Sequence, residues 1–156
     1  MLSKFTKYVL VNNSGATIDF DESACSINLK IIGWYISPTT GKITYAETVE
    51  DDMGFDGTDT IVNGGEVLSS EVDNSTNLYL GHLVQLEIVH DEGAAALAAS
   101  GSWDLKVEGG DTTGELTSDA AGYTDAETAK LQTVGSMMCD GGDHELIRSQ
   151  VFHVGG

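Results

Sequence analysis

Trp103-Asp104-Leu105-Lys106-Val107-Glu108 alternates without a break, Trp103, Leu105 and Val107 falling on one face and Asp104, Lys106 and Glu108 on the other. Successive side chains of an extended chain point to opposite sides, so this period of two, apolar against charged, is the pattern of a half-buried β-strand. The residues at 83–90 repeat it, with Val84, Leu86 and Ile88 facing one way and Gln85 and Glu87 the other. The two segments are expected to pair antiparallel. Between them, Ala94-Ala95-Ala96-Leu97-Ala98-Ala99 reads as one helical turn or a loop, because the connection is long for a tight hairpin.

Working outward, Ile27, Leu29 and Ile31 alternate with Asn28 and Lys30, and Trp34-Tyr35 leads into the turn Ser37-Pro38-Thr39-Thr40-Gly41-Lys42 and a further strand at 43–49. Residues 146–154 read as a terminal strand after the turn Asp140-Gly141-Gly142-Asp143. The chain has 19 glycines, several in pairs, and one proline, Pro38. Glycine pairs between short runs rich in Val, Ile, Thr, Tyr and Trp mark turns between strands. One helix is expected, about two turns long, where Thr124-Asp125-Ala126-Glu127 forms a capping box continued by Ala129, Lys130 and Leu131. The fold class is all-β with that short helix, an antiparallel β-sandwich or jelly roll. At 156 residues, with no internal repeat or low-complexity linker, 1–156 is expected to be one domain. The polar, glycine-punctuated stretch 47–72 reads as a loop or as an assembly arm within it.

Charge narrows the partners. Twenty-five acids against seven bases give a net charge of −18, a surface that repels phosphates and lacks the basic patch nucleic-acid binding needs. No basic amphipathic segment points to an anionic membrane, and the apolar runs are far shorter than the roughly 20 residues of a membrane helix. With Lys4 and Lys7 followed by only four apolar residues, no signal peptide is expected, and the chain should fold where it is made, in the cytoplasm. Cys25 and Cys139 are the only cysteines. They read as two reduced thiols or as one bridge joining the start of the chain to its end, and neither has a neighbour at zinc-ligand spacing.

Six acids, Glu47, Glu50, Asp51, Asp52, Asp56 and Asp59, crowd one segment with Gly54 and Gly57 among them. A calcium ion would relieve their repulsion, which makes Asp52, Asp56 and Asp59 the metal candidates. The register fails the EF-hand pattern, and a solvated acidic loop is the competing reading. Asp140 to Glu145 likewise reads as a turn before it reads as a cation site. His82, His90, His144 and His153 form no metal motif, and His90-Asp91-Glu92 has no nucleophile placed beside it. Trp34, Tyr35 and Trp103 could build a sugar platform, but alternation places Trp103 with Leu105 and Val107 in the core. No phosphate-cradling glycine loop is present, no catalytic residue is assigned, and no cofactor is expected.

The opening Lys7-Tyr8-Val9-Leu10-Val11-Asn12-Asn13, the strand-rich body and the close Val151-Phe152-His153-Val154 resemble small β-sandwich virion proteins of tailed bacteriophages. That resemblance implies a non-enzymatic structural protein present in many copies in the virion, partnered by itself and by other virion proteins. A tail (tube) component is preferred to a capsid decoration, or cement, protein. A calcium- or carbohydrate-binding module is the alternative from another class, and a hydrolase would need polar groups converging in a cleft.

Overall fold

The computed structural model describes residues 3–19, 26–53, 60–75, 79–90, 101–110, 131–139 and 145–155. Their order is β1 (Phe5–Asn13), β2 (Ile18–Asp19), β3 (Ser26–Ile36), β4 (Ile43–Tyr45), β5 (Val49–Asp51), β6 (Thr60–Ile61), β7 (Glu66–Leu68), β8 (Val72–Asp73), β9 (Gly81–His90), β10 (Ser102–Gly110), β11 (Gln132–Met138), β12 (Glu145–Arg148) and β13 (Phe152–Val154). No helix occurs among the described residues. The capping box at Thr124, the alanine run at 94–99, Cys25, His144 and the 140–143 turn lie outside them.

Two antiparallel sheets pack face to face as a β-sandwich. In the first, β11, β10 and β1 lie side by side, and β7 and β8 share the far edge of β1. In the second, β9 and β3 are central, with β12 and β13 along β9 and with β4 and β5 along β3. A small β2–β6 ladder stands apart. The core is where the two apolar stripes meet: Tyr8, Leu10, Trp103, Leu105 and Val107 from one sheet, and Ile27, Leu29, Ile31, Val84, Leu86 and Ile88 from the other.

The alternating segments are strands with the faces their periodicity dictates, but the expected pairing of 83–90 with the Trp103 strand is wrong. β9 pairs β3 across nine residues, and β10 pairs β1 from Phe5↔Gly110 to Asn13↔Ser102. The two stripes face each other across the core instead of lying edge to edge, which hides both from water, and the long 91–101 connection has the length to cross between sheets. The opening Lys7–Asn13 forms a strand as well. It is the central strand β1, buried on both faces, because Val9 and Val11 are covered on the outer side by Leu68 and Leu131.

Two further strands are interrupted. The segment 43–49 divides into β4 and β5, and 146–154 divides into β12 and β13 around Ser149, both halves pairing β9 with a register shifted by one residue. Within 47–72, β5 pairs β3 in the second sheet, β7 pairs β1 in the first, and β6 lies in the separate ladder with β2.

Several buried polar side chains are tied down by hydrogen bonds. Burying one aliphatic side chain gains about 1.5–3 kcal/mol, and one unpaired buried polar group loses about as much. Asn12, fully buried, uses its amide on the carbonyls of Ala16 and Ile61 (2.9 Å each), and its Oδ1 accepts the Ser14 N–H at 2.9 Å. One side chain thus anchors the turn after β1 to β6.

Candidate functional site

The side of the second sheet that faces away from the core is divided in two. Along β3, residues 28, 30, 32, 34 and 36 point outward. In the lower half Asn28 lies opposite Glu87, Lys30 lies between Gln85 and Glu50, and the Lys30 ammonium is 3.6 Å from the Glu50 carboxylate. This half is an ordinary solvated surface.

The upper half is apolar. Ile32 lies opposite Leu83, Trp34 lies between Gly81 and Tyr45, and Ile36 lies opposite Ile43. The indole crosses the backbone of Gly81, where an added Cβ would sit 2.6 Å from Trp34 Nε1 and 2.7 Å from the Val154 carbonyl oxygen. Glycine is therefore required there. Trp34 is half-buried in this position, whereas Ile36, Ile43 and Tyr45 are 52, 58 and 58 % exposed. No carboxylate of the described strands enters this half of the face. Contiguous exposed apolar surface of this kind makes this half of the face the candidate contact surface of the described residues.

No family model, curated protein or solved structure matches this chain.

The acidic segment contributes little that is gathered. Asp52 is exposed just after β5, and Asp56 and Asp59 lie outside the described residues. Asp51 is committed to the backbone: one oxygen accepts the Met53 N–H at 2.6 Å and the other accepts the Ser70 N–H at 2.9 Å. That clamp holds Met53 in a left-handed conformation (φ 60°) with its side chain buried. Among the described residues no three His, Cys, Asp or Glu side chains come together as metal ligands would. Cys139 is buried, with its N–H bonded to the Gly101 carbonyl at 2.9 Å. Trp103 is 1 % exposed, in the core and unavailable to a sugar.

A buried polar chain, absent from the sequence reading, joins the two sheets. His82 on β9 is fully buried between Tyr8, whose hydroxyl is 2.7 Å from Nδ1, and Asn74, whose Oδ1 is 2.9 Å from Nε2. The Asn74 amide nitrogen donates to the Ser3 carbonyl at 3.0 Å and to Thr6 Oγ1 at 2.9 Å. Because a carbonyl only accepts, the amide orientation is fixed. Oδ1 must then face His82, Nε2 must carry the proton, and the bare Nδ1 accepts from the Tyr8 hydroxyl. Burial lowers the imidazole from 6.5 to about 4 and pushes the Tyr8 hydroxyl up, so both stay neutral. The signal lay in the alternation of 83–90, since running it back from Val84 by two puts His82 on the core face.

This chain is sealed, and a sealed neutral imidazole has no substrate to act on. A shallow cleft of about 170 Å³ beside Thr6, Val107, Glu108 and Gln132 falls below the roughly 300–1,000 Å³ of small-molecule sites. Its lining holds one carboxylate, Glu108, and no second acid to pair with it.

Proposed function

We propose that this chain is a non-enzymatic structural protein that works by assembling, as a component of a tailed-phage virion, with a tail role preferred to a capsid decoration. The observation that carries the assembly reading is the exposed apolar half-face of Trp34, Ile36, Ile43 and Tyr45 on a molecule whose net charge is −18. The virion setting comes from the sequence resemblance alone.

Charge decides the conditions. Copies each carrying −18 repel one another over about 10 Å at 0.1 M salt and over roughly 30 Å at 0.01 M. Association should therefore strengthen with added salt. Light scattering across concentration and ionic strength, with electron microscopy of any large species, tests this. Rings or tubes that grow with salt support a tail-type assembly. A protein that stays monomeric at every concentration and salt level overturns self-assembly.

A further inference from the structure

We infer that the apolar half-face is where two copies of this chain meet, β4 pairing antiparallel with β4 of a second copy about a two-fold axis at Thr44. The inference rests on the assembly reading above and names its first contact.

The backbone parity supports it. Between β3 and β4 the Ser37 N–H donates to the Lys42 carbonyl (2.9 Å) and the Ala46 N–H donates to the Gly33 carbonyl (2.8 Å). Hydrogen-bonded pairs alternate along an antiparallel ladder, so Tyr35–Thr44 is also such a pair, while Ile36–Ile43 and Trp34–Tyr45 are not. The N–H and C=O groups of Ile43 and Tyr45 consequently point away from β3, and among the described strands none lies on that side of β4. A strand edge of this kind is a template for another strand. Pairing centred on Thr44 sets Ile43 against Tyr45 of the second copy and Tyr45 against its Ile43, each pair exchanging two backbone bonds. Every outward-pointing group of the two residues is then satisfied.

Side chains agree with that register. Ile43 and Tyr45 lie on the outer face, so the pairing builds a continuous apolar band that runs from Trp34 and Ile36 of one copy to those of the other. The ends of β4 have opposite charge, Lys42 before it and Glu47 after it, both exposed. Antiparallel pairing lays the Lys42 end of each copy beside the Glu47 end of its mate.

Area sets the strength. Side-by-side pairing covers the backbone edge of β4 and the flanks of Ile43 and Tyr45, and leaves the outer face of the band open, so the contact falls in the transient class below about 1,200 Å². Three residues also make a short edge, which closes on one partner and does not propagate into a fibril. The pair is a weak, salt-promoted dimer.

The test is disulfide trapping in the full chain. Opposed residues of a non-hydrogen-bonded pair have Cα atoms about 4.5 Å apart, within reach of a disulfide, so Thr44→Cys should cross-link under mild oxidation to a dimer whose bridging peptide maps to residue 44. Thr39→Cys, on the turn, and the unaltered chain with its native cysteines are the controls. Tyr45→Glu should weaken association at least tenfold by light scattering with an unchanged urea midpoint, because that side chain is 58 % exposed. Cross-linking of Thr44→Cys no faster than of Thr39→Cys, or undiminished association of Tyr45→Glu, overturns the pair and leaves the assembly reading standing. A monomer under all conditions overturns both.

Discussion

Ser149 and Leu86 bond to each other twice: the Ser149 N–H donates to the Leu86 carbonyl at 2.8 Å, and the Leu86 N–H donates to the Ser149 hydroxyl at 2.8 Å. The hydroxyl stands where a backbone carbonyl would be in an unbroken ladder. It allows the chain to step by one residue between β12 and β13 while β9 loses no partner. The first sheet uses the same device. There the Tyr8 N–H donates to the Ser69 hydroxyl and the Ser69 N–H donates to the Tyr8 carbonyl, both at 2.9 Å, between β7 and β8.

Replacing either serine by alanine leaves a buried backbone N–H without its acceptor. Ser149→Ala and Ser69→Ala should each lower stability by about 1–3 kcal/mol. Urea denaturation reads this directly, and a loss below about 0.5 kcal/mol would show that water or a shifted backbone fills the gap.

Acid should weaken the fold through His82. The unfolded chain takes up a proton as pH falls below 6.5, whereas the buried imidazole resists until about 4. Its contribution is complete above pH 6.5 and is lost progressively down to about 4, by up to roughly 3 kcal/mol. Neutralising the carboxylates over the same range relieves self-repulsion and acts in the opposite sense. The comparison that isolates His82 is therefore the slope of stability against pH in the wild type and in His82→Gln, and the variant should lose less between pH 6.5 and 4.5.

Gly101→Ala and Gly41→Ala should separate widely. An added Cβ at Gly101 would lie 2.3 Å from the Ser14 carbonyl oxygen and 2.6 Å from its Cα, backbone atoms that cannot rotate aside. At Gly41 it would meet nothing within 4 Å, leaving only the left-handed φ of 65° as a cost. Thermal unfolding should place Gly41→Ala within about 1–2 kcal/mol of wild type, and Gly101→Ala well beyond it.

Asn12→Ala removes the donor shared by the Ala16 and Ile61 carbonyls and the acceptor of the Ser14 N–H. The expected loss is about 2–4 kcal/mol, as two or more buried backbone groups are stranded together. Amide exchange should accelerate first at Ser14, and unchanged exchange there would show the turn to be held by other contacts.

The sandwich was legible because alternation reports which side of a strand is buried, and Ile27, Leu29, Ile31, Leu86, Ile88, Leu105 and Val107 all face the core as their spacing dictates. Alternation does not report which strand lies alongside, so β9 and β10 were matched as neighbours when they face each other. Ser69 and Ser149 look like any polar residue in sequence, since their role exists only once a second strand stands opposite. The apolar half-face was split across Trp34, Ile36, Ile43 and Tyr45, residues joined by a turn and by register, not by any run of sequence. Of the calcium candidates, only Asp52 lies among the described residues.

The hydrogen bonds from Ser3 through Asn74 and His82 to Tyr8 also act as an alignment mark. Sliding β9 by two residues along β3 would keep every apolar side chain on the core face, because a period of two is blind to a shift of two. The oil in the core would barely register such an error. The imidazole would, since it would face a carbon side chain while Asn74 Oδ1 and the Tyr8 hydroxyl each lost a partner, at about 1–3 kcal/mol apiece. The polar side chains of Asn74, His82 and Tyr8 thus give the folding chain a way to tell the correct superposition of its two sheets from its nearest counterfeit.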